Sequence, residues 1–169
     1  MNPVRVALFA ALATFLLPTD AAANAVLRDV ISHGTANCQS ALPVFDGNIR
    51  KRPKALANEG SSAAFVTCDF ESTPNAMSQV AVVRVFFINR SAAARTISCT
   101  AVFGVGDTVL VPSNTKSITA AAGEAVELEW DANNDNGGAF YSAPALSCNL
   151  APGVEISVVN LSYLEEIGI

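Results

Sequence analysis

The sequence predicts an all-β protein: an antiparallel two-sheet sandwich, of which a jelly roll is one form, stapled by two disulfides. Three observations predict it. Apolar residues recur at alternate positions in short runs that end in Gly, Pro, Asn or Asp. No run beyond residue 25 repeats at the helical spacing. An even set of cysteines, Cys38, Cys68, Cys99 and Cys148, follows an export leader.

The leader is Met1–Ala25. One cation, Arg5, precedes an almost wholly apolar run from Val6 to Leu17, and the small residues Ala23-Asn24-Ala25 offer a cleavage site. That run is shorter than the roughly twenty apolar residues a membrane-spanning helix needs, and no later stretch approaches that length. The expected product is Val26–Ile169, a single exported domain, periplasmic or extracellular, with no membrane span. Removing the leader takes away Arg5 and Asp20, one charge of each sign, so the net charge stays at −5. Such acidity excludes nucleic acid as a partner, because phosphate binding needs a concentrated basic face.

Along the chain, Val26–Asn37 reads as a short apolar strand or an unsettled terminus, and Asp46-Gly47 as a turn. The run Ile49-Arg50-Lys51-Arg52-Pro53-Lys54 is the largest like-charge cluster. It suits an acidic surface such as lipid head groups, acidic glycan or protein. It suits better an exposed edge strand, which repelling cations and a donor-less proline protect from further pairing. Ala63–Phe70 is a strand with Ala64, Val66, Cys68 and Phe70 on one face, and Glu71–Ser78 is a loop.

Gln79–Phe103 is the centre of the pattern: two strands joined by a polar turn at Arg90–Ala94. Ala81, Val83, Val85 and Phe87 line one face of the first strand, and Val80, Val82, Arg84, Phe86 and Ile88 the other, so it should be largely buried. In the second, Ile97, Cys99, Ala101 and Phe103 face the core. A short strand at Thr108–Val111 follows. Lys116–Ala120 and Ala125–Trp130 form an expected hairpin around Ala122-Gly123-Glu124, with Trp130 on the core face beside Val126 and Leu128. Ala145–Leu150 and Val154–Leu164 are the last strands. Asn89-Arg90-Ser91 and Asn160-Leu161-Ser162 match the glycosylation pattern.

Three pairings of the cysteines are open, and Cys38 with Cys68 and Cys99 with Cys148 is preferred because neighbouring segments of a β fold pack together. A zinc site is disfavoured, since zinc ligands usually come in close Cys-x-x-Cys pairs.

Chemistry-bearing residues are few. His33 is the only histidine, so a histidine metal cluster is excluded. The loop Asp131–Gly138 places Asp131, Asn133 and Asp135 at alternate positions, as in a calcium loop. It lacks the glycine and bidentate glutamate at their proper offsets, and a plain Asx-rich connection is the default. With Phe140 and Tyr141, read as an exposed aromatic pair, these residues form the candidate binding surface. No catalytic residue, cofactor or metal is assigned, calcium being the one metal left as a possibility. Glu127, Glu129, Asp131 and Asp135 could furnish the acid pair of a small polysaccharide hydrolase, the alternative to a non-catalytic module.

The segments Asn37-Cys38-Gln39-Ser40-Ala41-Leu42-Pro43, Gly47–Pro53, Asn58-Glu59-Gly60, Ala64–Cys68, Ser98-Cys99-Thr100 and Ser147–Gly153 resemble small exported bacterial proteins of unassigned function with a four-cysteine β-rich domain. The resemblance spans Asn37 to Gly153. It implies a bacterial source and a disulfide-stapled sandwich, and transfers no catalytic residues. The expected function is a secreted or periplasmic binding or structural module for a glycan, envelope component or protein.

Overall fold

The computed structural model describes residues 24–70, 79–104 and 113–167. The expected loop Glu71–Ser78, the strand Thr108–Val111 and residues 1–23 of the leader lie outside them. Among the described residues the strands run β1 (Asn24–His33), β2 (Cys38–Ser40), β3 (Ile49–Lys51), β4 (Leu56–Asn58), β5 (Ala64–Asp69), β6 (Val80–Asn89), β7 (Arg95–Val102), β8 (Ser113–Ala120), β9 (Ala125–Asp131), β10 (Ala145–Leu150) and β11 (Val154–Ile167). Two single α-helical turns, α1 (Gly34–Asn37) and α2 (Ala132–Asp135), and a 3-10 turn at Pro43–Phe45 interrupt them.

The strands form two antiparallel sheets. One has the order β3-β4-β11-β6-β9, with β1 also paired to β11; the other has the order β2-β5-β10-β7-β8. Four pairs are nested: β4 with β11, β5 with β10, β6 with β9, and β7 with β8. Two further pairings, β11 with β6 and β10 with β7, complete the sheets. From β4 to β11 the chain changes sheet at every connection except that between β7 and β8. This is the jelly-roll form of the sandwich.

The core lies between the sheets. Val83, Val85, Phe87, Leu128, Trp130, Ile156, Val159 and Leu161 enter it from the six-stranded sheet, and Val66, Ile97, Ala101, Leu146 and Leu150 from the other. On β6 the alternation is as expected with one exception. Val82 pairs with Ser162 but Val80 with Tyr163, an irregularity that leaves Ala81 unopposed and turns Val80 into the core.

Both preferred disulfides form. Cys38–Cys68 joins β2 to β5 and Cys99–Cys148 joins β7 to β10, each between directly opposed residues on the inner face of the five-stranded sheet. The basic run also lies where an edge strand was expected: β3 is the end of the six-stranded sheet, paired only with β4.

Two expected neighbours are not paired. β6 and β7 lie in opposite sheets, and so do β8 and β9, so Arg90–Ala94 and Ala121–Glu124 are crossings between layers rather than hairpin turns. The reason is that alternation tells which side of a strand faces a core, and not which sheet supplies its neighbours. Asn89 ties both crossings together. Fully buried, it directs its amide nitrogen to the carbonyls of Ala93, Ala120 and Ala121, and its oxygen accepts from the Ser91 amide and hydroxyl. Gly153 closes the β10–β11 turn against the same crossing. Its φ is +79°, and a Cβ there would stand 2.8 Å from that of Ser91. The two glycosylation matches are thereby overturned: Asn89 is engaged in the core and Asn160 is 8% exposed.

Candidate functional site

The Asp131–Tyr141 segment leaves the end of β9, and its polar side chains are turned on the segment itself. The Asp131 carboxylate caps α2, accepting from the Asn133 amide at 2.7 Å. Asp135 accepts from the Asp131 amide at 2.8 Å and from Lys116 Nζ at 2.7 Å. Lys116 also donates to the Glu129 carbonyl, so one ammonium fastens the loop to β9. Burial works against the Asp135 carboxylate, but the bond and charge of Lys116 and the Asp131 amide outweigh it and hold its pKa below the ordinary value. The two carboxylates therefore face separate partners, and the position a cation would take beside Asp135 is filled by a side chain.

The aromatic pair divides. Phe140 is exposed, as is Asn133, but Tyr141 is 4% exposed, which corrects the expectation of an exposed pair. The reason is a single bridge: Tyr141 exchanges both backbone hydrogen bonds with Val80, and that registers its ring inward, stacked on Phe103 at 3.8 Å between centroids. Its hydroxyl donates to the Asp131 carbonyl at 3.4 Å. Burial, with smaller contributions from the Asp135 and Asp131 charges, pushes the phenol up to about 12 from an ordinary 10.0.

A folded pKa above the unfolded one means that stability is fully present below pH 10 and is lost as the pH rises towards 12. Between pH 9 and 11 the wild type should lose about 1 kcal/mol more than Tyr141→Phe, read from urea midpoints. Parallel losses in the two proteins would show that the phenol ionises freely in the native state.

A second surface, unmarked by any motif, covers the outer face of the six-stranded sheet. Register places Asp29, Ser162, Val82 and Asp131 in one transverse row, Ile31, Asn160, Arg84 and Glu129 in the next, and His33, Val158, Phe86 and Glu127 in a third. Arg84 lies at its middle. Its Nε is 2.7 Å from Glu129 and 3.2 Å from Glu127, and its Nη1 donates to Ser162, whose hydroxyl donates to Asp29. Four strands are thus crossed by one polar chain. Beside it Ile31, Phe86, Ile88, Ala125, Val158 and Asn160 border an open, mostly apolar depression of about 300 Å³.

The signal for this surface is present on β6, whose outward positions read Val82, Arg84, Phe86, Ile88. A strand apolar on both sides is ordinarily read as buried on both. Here the outer side is only half covered. The same geometry accounts for the four carboxylates of the hydrolase alternative: Glu127 and Glu129 lie on Arg84, Asp131 on the Asn133 amide, and Asp135 on Lys116.

No family model matches the chain, and no curated protein matches it. Among solved structures it is similar to the xylan-binding module CBM15, at 11% identity and a TM-score of 0.41, over 85% of this chain and 100% of that one. It is similar to a truncated AlyQ with CBM32 and alginate lyase domains at 15% identity and a TM-score of 0.43, over 85% of this chain. A third likeness is to the CBM22-1-GH10 modules of a Clostridium thermocellum endo-1,4-beta-D-xylanase complexed with xylohexaose, at 12% identity, a TM-score of 0.40 and 83% of this chain. The chain spans 35% of the second structure and 26% of the third. At such scores the sandwich rests on its own strand pairing, and any binding role on its own surface.

Proposed function

We propose that the protein is an exported, non-catalytic module that binds a glycan on the outer face of its six-stranded sheet. The observation that carries this reading is the pairing of an apolar floor with a fixed polar row on that face. A pyranose ring has C–H faces that pack on apolar side chains and hydroxyls that need donors and acceptors at its rim. Phe86, Ile88, Val158 and Ile31 supply the floor; Arg84, Glu127 and Glu129 supply the rim. Because the Arg84 ion pairs already fix these groups, little side-chain entropy is lost on binding. Asp131 stands opposite Val82 in the first row, which brings the Asn133 and Phe140 loop to one end of the same face. Two disulfides suit an oxidising compartment, as does the apolar leader.

Retention of the oxidised protein on an array of bacterial and plant polysaccharides tests the reading. Phe86→Ala should weaken retention on the preferred glycan about tenfold with the thermal midpoint little changed, and Tyr141→Phe should leave it intact. A blank array, or retention indifferent to both Phe86→Ala and Ile88→Ala, would remove this face as a glycan site.

A further inference from the structure

A different corner of the molecule carries a second surface, independent of the sheet face. Between β2 and β3 the chain makes a 3-10 turn at Pro43–Phe45, fastened by backbone bonds from Phe45 to Leu42, Asp46 to Pro43 and Asn48 to Phe45. The Ser40 hydroxyl bonds the Leu42 carbonyl and the Asp46 carboxylate, and the Phe45 ring rests on Phe65 with centroids 6.0 Å apart. So the loop is held firmly, yet Leu42 and Val44 point out of it, 55% and 76% exposed. Nothing in the core requires two bare aliphatic side chains on a well-braced turn.

The basic run adjoins this loop. Arg50 donates to the Asp46 carbonyl, and Lys51 borders the same depression as Ser40 and Asp46. Elsewhere the cations are mostly spoken for: Arg28 by Glu165, Arg84 by Glu127 and Glu129, Arg90 by Glu155, and Lys116 by Asp135. Among the described residues, Arg52 is the one cation of the corner with an ion pair, to Glu59. Among the described residues Arg50, Lys51 and Lys54 are exposed with no carboxylate partner. An acidic protein thus keeps most of its unneutralised positive charge, among the described residues, beside an exposed aliphatic pair.

We propose that this corner docks the protein peripherally on an anionic lipid bilayer. Arg50, Lys51 and Lys54 would meet the headgroup phosphates while Leu42 and Val44 enter the boundary with the acyl chains, and the braced turn presents them without a cost of ordering. The aliphatic pair favours lipid over an acidic polysaccharide, which offers Leu and Val no apolar layer. No helix among the described residues is long and apolar enough to cross a membrane.

The test is co-sedimentation with vesicles, using processed protein whose N-terminus is checked by mass spectrometry so that the apolar Val6–Leu17 run is known to be absent. Vesicles of phosphatidylcholine with about one-third phosphatidylglycerol should sediment the protein, less so as salt is raised, and phosphatidylcholine alone should not. At about fivefold per cation near such a surface, Lys51→Glu with Lys54→Glu should cut partitioning at least about 25-fold. Leu42→Ser with Val44→Ser should cut it about tenfold with charge unchanged. All four positions are exposed, and thermal midpoints near the wild-type value show that the fold is kept. The proposal is overturned if anionic vesicles do not sediment the protein, if neutral vesicles do so equally, or if either variant partitions like wild type. Retention on polygalacturonate without sedimentation would also overturn it and assign the corner to an acidic glycan. A blank polysaccharide array would leave the vesicle result unaffected.

Discussion

Replacing Cys99 and Cys148 together by alanine should lower the free energy of unfolding by about 4 kcal/mol, as measured by urea denaturation of the oxidised proteins. The bond closes a loop of sequence separation 49, so its loss frees a long stretch of the unfolded chain. It also joins the two inner strands β7 and β10, which no partial opening of the sheet edge can separate. Cys38–Cys68, with a separation of 30, should contribute slightly less by the same entropy. It fastens β2, a three-residue edge strand, so hydrogen exchange in Cys38→Ala with Cys68→Ala should quicken first around residues 38–48. With a typical domain stable by only about 5 to 15 kcal/mol, removing both bonds should leave the chain largely unfolded at 37 °C. A loss under about 1 kcal/mol for the Cys99–Cys148 pair would mean that the reduced unfolded chain is already compact around β7 and β10.

Trp130→Ala should cost about 4 kcal/mol. The side chain is completely buried, and it acts as a strut between layers: it hangs from β9 in the six-stranded sheet, while its indole donates to the Asn114 carbonyl of β8 in the other sheet at 3.0 Å. Alanine leaves both a cavity and an unpaired carbonyl. Trp130→Phe separates the two effects, since it keeps most of the volume and loses the bond. Its expected cost is about 1 to 2 kcal/mol, read from the same denaturation curves. Equal losses for the two variants would show that the hydrogen bond, and not the filling of the core, is what Trp130 supplies.

What the sequence makes legible follows from how far each signal reaches. Alternation in β5, β7, β9 and β10 names their inward residues, because burial of one face has a period of two whatever lies beyond. The disulfide pairing is readable from proximity along the chain. Sheet membership is not, since Val126, Leu128 and Trp130 would present the same pattern to a core from either layer. β2, β3 and β4 have three residues each, too few to establish a period. β1 is mostly exposed, with Leu27 and Ile31 on its outer side, so its pattern gives no buried stripe. Within the candidate loop, Asp131, Asn133 and Asp135 promise convergent oxygens, yet the Asn133 amide and Lys116 take the two carboxylates. Neither partner can be inferred from the spacing of the acids. The fate of Tyr141 turned on one bridge to Val80, sixty-one residues away by number and invisible to any local window.

The nested pairing also governs when the protein can become folded at all. β11 is the strand on which β1, β4 and β6 all assemble, and β10 holds β5 to β7, so the centre of each sheet is supplied by the last two of the described strands. A nascent chain ending before Ala145 has neither hub. Its earlier strands can pair only in part, and their open edges wait for partners as far downstream as Ile167 is from its partner Asn24. Until Val154–Ile167 has emerged, β1, β4 and β6 therefore lack the strand on which they pair. The order of synthesis thus separates the two disulfides: Cys38 and Cys68, on β2 and β5, are both present early, whereas Cys99 on β7 must wait for Cys148 on β10.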